Sequence, residues 1–160
     1  MTVKPGSKKL TPEAQLRAWI EKLDPKTQKL FRSVRAAMRK RLRAANELAY
    51  DYSFALVIGY APADQGIDSI VAIRASAAGV SLYFSQGPKL PDPKGLLRGS
   101  GKQTRFIELE TARQLAHPNV EALIAATIDQ ARFPLPSKGK GSLIIKSDGA
   151  KKRPRRKAPK

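Results

Sequence analysis

Ile67-Asp68-Ser69-Ile70-Val71-Ala72-Ile73-Arg74, then Ala77-Ala78-Gly79, then Val80-Ser81-Leu82-Tyr83-Phe84 is the stretch that decides the fold. Two short runs rich in β-branched and aromatic residues flank a small turn-forming triplet, the mark of a strand pair. Upstream, Leu48, Tyr50, Tyr52, Phe54, Leu56 and Ile58 alternate as an earlier strand, and Ala61-Pro62-Ala63-Asp64-Gln65-Gly66 supplies the intervening turn. These three strands are expected to form an antiparallel meander. Arg105-Phe106-Ile107-Glu108-Leu109 adds a further strand signal.

Helical spacing brackets the strands. Thr11-Pro12-Glu13 is a helix start, with a hydroxyl cap, a proline in the first turn and an early acid. Leu16, Trp19, Ile20 and Leu23 then recur on one face, and Trp19 is expected in the core between this helix and the sheet. Asp24-Pro25 restarts the pattern, with Leu30, Phe31, Val34, Met38 and Leu42 on the apolar side. His117-Pro118-Asn119 precedes a last helix carrying Val120, Leu123, Ile124 and Ile128. Helices and strands segregated in this order imply an α+β fold. The expectation is two N-terminal helices, an antiparallel sheet of about four to five strands and a C-terminal helix.

Length and composition set the organisation. One domain suits 160 residues, and 41% hydrophobic content supports a modest core. The expected division is a disordered basic N-terminus over 1–9, the α+β domain over 10–133, and a flexible basic tail over 134–160. Lys138-Gly139-Lys140-Gly141 begins that tail as a linker, and Ser142-Leu143-Ile144-Ile145-Lys146-Ser147 either docks as an edge strand or packs on the domain. With no cysteine, no signal-peptide pattern and no run of about 20 apolar residues, the expected location is the cytoplasm, without a membrane span.

Charge points to partners. The chain holds 31 Lys and Arg against 13 Asp and Glu. Residues 138–160 carry ten of the cations and one acid, Asp148. Lys151, Lys152, Arg153, Arg155, Arg156 and Lys157 form a block whose prolines keep it extended. Such an arm can follow a DNA or RNA phosphate backbone without reading bases. On the second helix, Arg32, Arg35, Arg39 and Arg43 make a one-sign stripe opposite Val34, a second candidate nucleic-acid face. Around Gly95, Gly99 and Gly101, the cations Lys89, Lys94, Arg98, Lys102 and Arg105 form a candidate anion site, weaker than the first two.

The paired helices, Asn46-Glu47-Leu48-Ala49-Tyr50 entering the sheet, Val80-Ser81-Leu82-Tyr83-Phe84 within it, the Gly87-Pro88-Lys89-Leu90 loop, Gly99-Ser100-Gly101-Lys102 and the closing helix together resemble the bacterial YdhG-like domain family. The resemblance runs from about Leu16 to Arg132 and excludes the basic tail. One departure is Ser53 after Tyr52, where the family often carries a proline a few residues on. One branch of the family is proposed to act as frataxin-like iron chaperones, so the resemblance implies metal homeostasis as the alternative function. Its acids are scattered here; Glu108 and Glu110 share a strand face, and a chain at +18 repels free cations.

Catalytic patterns are missing. Leu97-Arg98-Gly99-Ser100-Gly101-Lys102-Gln103-Thr104 fails as a phosphate-binding P-loop, because Leu96 stands where the first glycine belongs and Gln103 where the metal-binding hydroxyl belongs. His117 is the one histidine and sits at a helix entrance. No cofactor is implied. Of Tyr83 and Phe84, only one can face outward as a stacking surface. The expectation is a non-enzymatic binding protein with sequence-independent affinity for nucleic acid.

Overall fold

A computed structural model describes residues 10–148 of the chain. The first helix, α1 (Pro12–Ile20), starts where Thr11 accepts the Ala14 N–H on its hydroxyl oxygen at 3.1 Å. The second, α2 (Pro25–Arg41), is capped by Asp24, whose carboxylate accepts the Thr27 N–H and the Thr27 hydroxyl, each at 2.9 Å. The Thr27 amide, then its hydroxyl, holds the Asp24 carboxyl below the usual carboxylate range. These caps satisfy amides that the helix geometry leaves without partners.

Six strands follow in one sheet: β1 (Asn46–Asp51), β2 (Ala55–Ala61), β3 (Val71–Ser76), β4 (Gly79–Phe84), β5 (Arg105–Leu109) and β6 (Leu143–Asp148). The third helix, α3 (Pro118–Asp129), lies between β5 and β6 in sequence. The spatial order is β5-β4-β3-β2-β1-β6. Every neighbouring pair is antiparallel except β1 with β6, which is parallel. The architecture is therefore α+β with a mixed sheet. Among the described residues, no helix is long and apolar enough to cross a membrane.

Two expectations about the strands are corrected. The alternating run from Leu48 to Ile58 is two strands, not one. The Tyr52 N–H donates to the Ala55 carbonyl at 2.8 Å and closes a tight turn over Ser53 and Phe54. Parity then changes across the turn. Leu48 and Tyr50 lie on the outer face, whereas Leu56 and Ile58 face the helices. Alternation within a strand cannot reveal such a turn when both flanks are aromatic. The second correction is the strand count, six rather than four to five; the sixth is the edge strand that residues 142–147 were expected to supply as one of two alternatives, within the stretch 134–160 set apart as a tail. Its pairing partner, β1, lies almost a hundred residues earlier.

The core lies on one side of the sheet. Ala49, Ile58, Tyr60, Ile73, Leu82 and Ile107 project from alternate strand positions to meet Leu16, Trp19 and Ile20 of α1, Phe31, Val34 and Met38 of α2, and Leu123 and Ile124 of α3. Trp19 occupies the place expected of it. Among the described residues, none of the three α-helices packs its apolar face on the other side of the sheet. There the β2–β3 connection folds back over β1 and β2, held by Asn46, whose amide donates to the Ala63 carbonyl at 3.0 Å. A side chain at Gly59 would collide with the Ser69 hydroxyl, which shows how closely the connection lies. Among the described residues, Val57 of β2, Ala72 and Arg74 of β3 and Tyr83 of β4 line an open recess beside this connection.

The docking of β6 depends on Gly141. Its N–H donates to the Arg43 carbonyl at 2.8 Å, and the next residue, Ser142, accepts the Glu47 N–H at 2.8 Å. A Cβ on Gly141 would overlap the Ala45 carbonyl, so only glycine permits this approach. Gly141→Val should lower stability to chemical denaturation by about 1–3 kcal/mol, the usual range for overpacking against a fixed backbone. It should also speed hydrogen exchange at the Glu47 amide. Lys140→Ala, an exposed control, should change stability by no more than about 0.5 kcal/mol.

Candidate functional site

The arginine stripe of α2 meets acids contributed by other elements. Arg35 lies against Glu47 of β1 and Glu13 of α1. Its Nε donates to Glu47 Oε2 at 3.0 Å and its Nη2 to Glu47 Oε1 at 2.8 Å. Nη1 and Nη2 also donate to Glu13 at 3.2 and 3.0 Å. All three guanidinium nitrogens are thus engaged by carboxylates. The Arg35 side chain is 12% exposed and that of Glu47 is 5% exposed. Burial would lower the Arg35 pKa, but hydrogen bonds first to Glu47 and then to Glu13 outweigh it and hold it raised. The same contact with Arg35 holds the Glu13 carboxyl below its usual range. Tyr60 completes the cluster, donating its hydroxyl to Glu47 Oε2 at 2.8 Å. Burial, then the Glu47 charge, pushes the Tyr60 phenol well up.

The stripe is therefore not one binding face. Arg35 is buried in an internal ion pair, which corrects the expectation that its charge points to a phosphate. Arg39 lies 3.6 Å from Glu47 and 3.9 Å from Glu13 and is half exposed. Arg32 is exposed and donates to Gln28 at 3.2 Å. Arg43 is also exposed but borders a different hollow, with Arg41 and Lys138. Glu47 pairs with Arg35 and not with Arg43, its nearer neighbour in sequence. The reason is that Glu47 projects to the helix side of β1, opposite Tyr60 on β2.

The outer face of the sheet holds a larger feature. A trough of about 800 Å³ lies over β2, β3 and β4, between the β2–β3 connection and the β4–β5 loop, with the residues after α3 at one end. Its floor includes Val57, Ala72, Arg74 and Tyr83, whose cross-strand registers put them on one face. Tyr83 is backed by Phe106, with ring centroids 5.0 Å apart and planes 23° apart. Tyr52 stands in a second stack between Tyr50 and Phe54, at 5.9 and 6.0 Å, and also lines the trough. Arg132 lies over the Phe133 ring at 5.1 Å from its centroid, and Phe133 is 46% exposed.

Four cations line this trough, Arg74, Lys89, Lys102 and Arg132, against one carboxylate, Asp68. None of the four forms an ion pair with a carboxylate among the described residues. This contrasts with the helix side, where Lys22, Arg35, Arg39 and Arg41 each reach a carboxylate. Two of the expected anion-site residues, Lys89 and Lys102, are brought here. The other three are not. Arg98 pairs by backbone with Phe106, and Arg105 donates its guanidinium to the carbonyls of Gly101 and Thr104, closing the loop on itself. Lys94 does not line the trough.

Other candidates fall elsewhere. Phe84 is buried with the core, so Tyr83 is the outward member of that pair. Glu108 is exposed on β5 and Glu110 lies just past its end. Among the described residues, no group of three His, Asp or Glu side chains gathers into a metal-binding cluster. His117 caps α3, accepting the Asn119 N–H on Nδ1 at 3.1 Å. Lys151, Lys152, Arg153, Arg155, Arg156 and Lys157 lie outside the described residues.

Arg74, Arg132 and Tyr52 are absent from the expected sites. Arg74 had a local signal, since it alternates with the apolar Val71, Ile73 and Ala75 on a strand. Arg132 had none, because only the end of α3 carries it to the sheet. No protein-family model matches the chain, and no curated protein or solved structure matches it either.

Removing one member of a buried ion pair leaves the other charge uncompensated. Arg35→Ala should therefore cost about 3–5 kcal/mol in urea unfolding, whereas Arg32→Ala should stay within about 0.5 kcal/mol. Tyr60 adds a pH dependence. Its folded pKa is raised, so its contribution is complete below the ordinary phenol value near about 10 and is lost as pH rises beyond it. Tyr60→Phe should remove that alkaline loss and cost about 2 kcal/mol at neutral pH, because Glu47 loses a donor. Unfolding curves at neutral pH and near pH 11 test both effects.

Proposed function

We infer that this chain is a non-enzymatic, sequence-independent nucleic-acid-binding protein that holds phosphate backbones. The observation that carries the reading is the set of cations at the trough. Arg74, Lys89, Lys102 and Arg132 share one recess and lack carboxylate partners among the described residues. Cations gathered without counter-charges in a recess focus a positive potential toward an anion. Exposed Arg32 on α2 and Arg43 just beyond it add to the positive surface.

The basic block supports the same reading from the sequence. The described fold ends at Asp148, which pairs with Asp51 on β1. Tyr52, the next residue after β1, lines the trough. Lys151 is only three residues beyond Asp148, so a few ångströms per residue of chain suffice for the block and the trough to meet one ligand. A phosphate backbone bridges such separated cations because it repeats its charge along its length.

The test is fluorescence anisotropy of labelled single-stranded DNA with the full chain over a salt series. Affinity should fall linearly on a log–log plot. Converting Lys151, Lys152, Arg153, Arg155, Arg156 and Lys157 to Gln should flatten the slope by up to about four units, at about 0.7 per phosphate contact. Converting Arg74, Lys89, Lys102 and Arg132 to Gln should flatten it by about three. Binding that ignores both sets of changes, or no binding near physiological salt, overturns the reading.

A further inference from the structure

We propose that the trough on the outer face of the sheet is a site for single-stranded nucleic acid, in which an unpaired base stacks at Tyr83 while adjacent phosphates meet Arg74 and Lys102. The proposal rests on the phosphate-binding reading above and adds to it the base, the strand state and the site.

The argument begins with what the trough contains besides charge. A phosphate site alone needs cations and amides. This one also holds Tyr83 on its floor, supported from behind by Phe106 at 5.0 Å. Phe106 is partly buried and belongs to β5, so the stack is built into two paired strands and does not depend on a loop. Arg74 lies on the adjacent strand and on the same face, two residues along from the Ala72 that pairs with Tyr83. Its guanidinium is 5.9 Å from the Phe54 ring, which holds its stem without neutralising it. Lys102 approaches from the β4–β5 loop. Aromatic rings on a rigid sheet, bordered by unneutralised cations, are the components that hold unpaired strands with little regard to sequence.

The size and position of the recess select the occupant. Its volume lies within the range of sites that enclose small ligands, so it admits one base with its sugar and phosphate more readily than a duplex. Bases in a duplex are already stacked on each other, and a recessed ring cannot reach their faces. The walls formed by the β2–β3 connection and the β4–β5 loop leave the trough open to solvent, so a strand can pass through. The Ser85 hydroxyl does not compete for the ligand, because it donates to the carbonyls of Ser69 and Ile70.

The test compares three labelled probes of equal charge on the full chain by anisotropy at one salt concentration. They are an oligothymidine strand, an abasic strand of the same length, and a duplex with the same number of phosphates. The thymidine strand should bind roughly tenfold more tightly than the abasic strand, as expected when a base–aromatic stack is present. Tyr83→Ala should remove that advantage while leaving abasic binding unchanged, and Tyr83→Phe should preserve it. Arg74→Gln with Lys102→Gln should weaken both single strands together. The abasic comparison uses the unaltered protein, so it stands even where a variant fails to fold. Equal binding of the thymidine and abasic strands overturns this proposal and leaves the phosphate reading intact. No binding to any of the three probes overturns both.

Discussion

The buried contact between Arg35 and Glu47 is the constraint around which the rest is arranged. A carboxylate that is 5% exposed has lost nearly all its water. Left unpaired, it would cost several kcal/mol, so the fold must bring it cations and donors. It does so from two elements: α2 supplies Arg35 and the approach of Arg39, and β2 supplies the Tyr60 hydroxyl. Glu13 from α1 closes the second side of Arg35. Asp51, two pairs along β1, is matched by Lys22 at 2.7 Å. Together these contacts set where α1 and α2 lie relative to β1. They also set the register of β1, because a one-residue slip would turn Glu47 to the outer face and strand Arg35. Pairs of this kind serve specificity more than net stability.

Placing all three helices on the face that carries Glu47 leaves the opposite face to be handled otherwise. The edge strand β1 is covered by β6, which arrives in parallel after the whole domain has been traversed. Unpaired edges invite association with other chains, and this strand moves that edge from β1 to β6. The outer surface of β1 and β2 is covered by their own onward connection, with Gly59 permitting the close approach. Beside it lies the trough, lined by Val57 of β2, Ala72 and Arg74 of β3 and Tyr83 of β4. The candidate site is thus on the face of the sheet away from the apolar faces of the helices.

The same partition sorts the charges. The acids that face the helices collect arginines, and those arginines become structural. The cations at the trough face one acid, Asp68, and keep their charge available. A net charge of +18 does not by itself say where binding occurs. Its distribution between paired and unpaired positions does, and that distribution depends on the fold.

Much of the architecture was legible in the residues because its determinants are local. Caps at Thr11 and Asp24, helical spacing in α2 and α3, and the hairpin of β3 with β4 each involve neighbours a few residues apart. Alternation placed one of Tyr83 and Phe84 outward, and burial of Phe84 in the core makes it Tyr83. The turn at Ser53 and Phe54 escaped notice because aromatic residues continue through it. The pairing of β6 with β1 escaped because six residues carry no record of a partner so distant in sequence. Arg35 looked exposed on a basic stripe because its two acids come from other elements. By itself, then, the sequence determined the helices, most of the strands, the α+β class and the excess of positive charge, all of which follow from local period and composition. Only the tertiary structure decided which arginines are neutralised inside and which cations converge on Tyr83, because those depend on which distant strands and loops become neighbours.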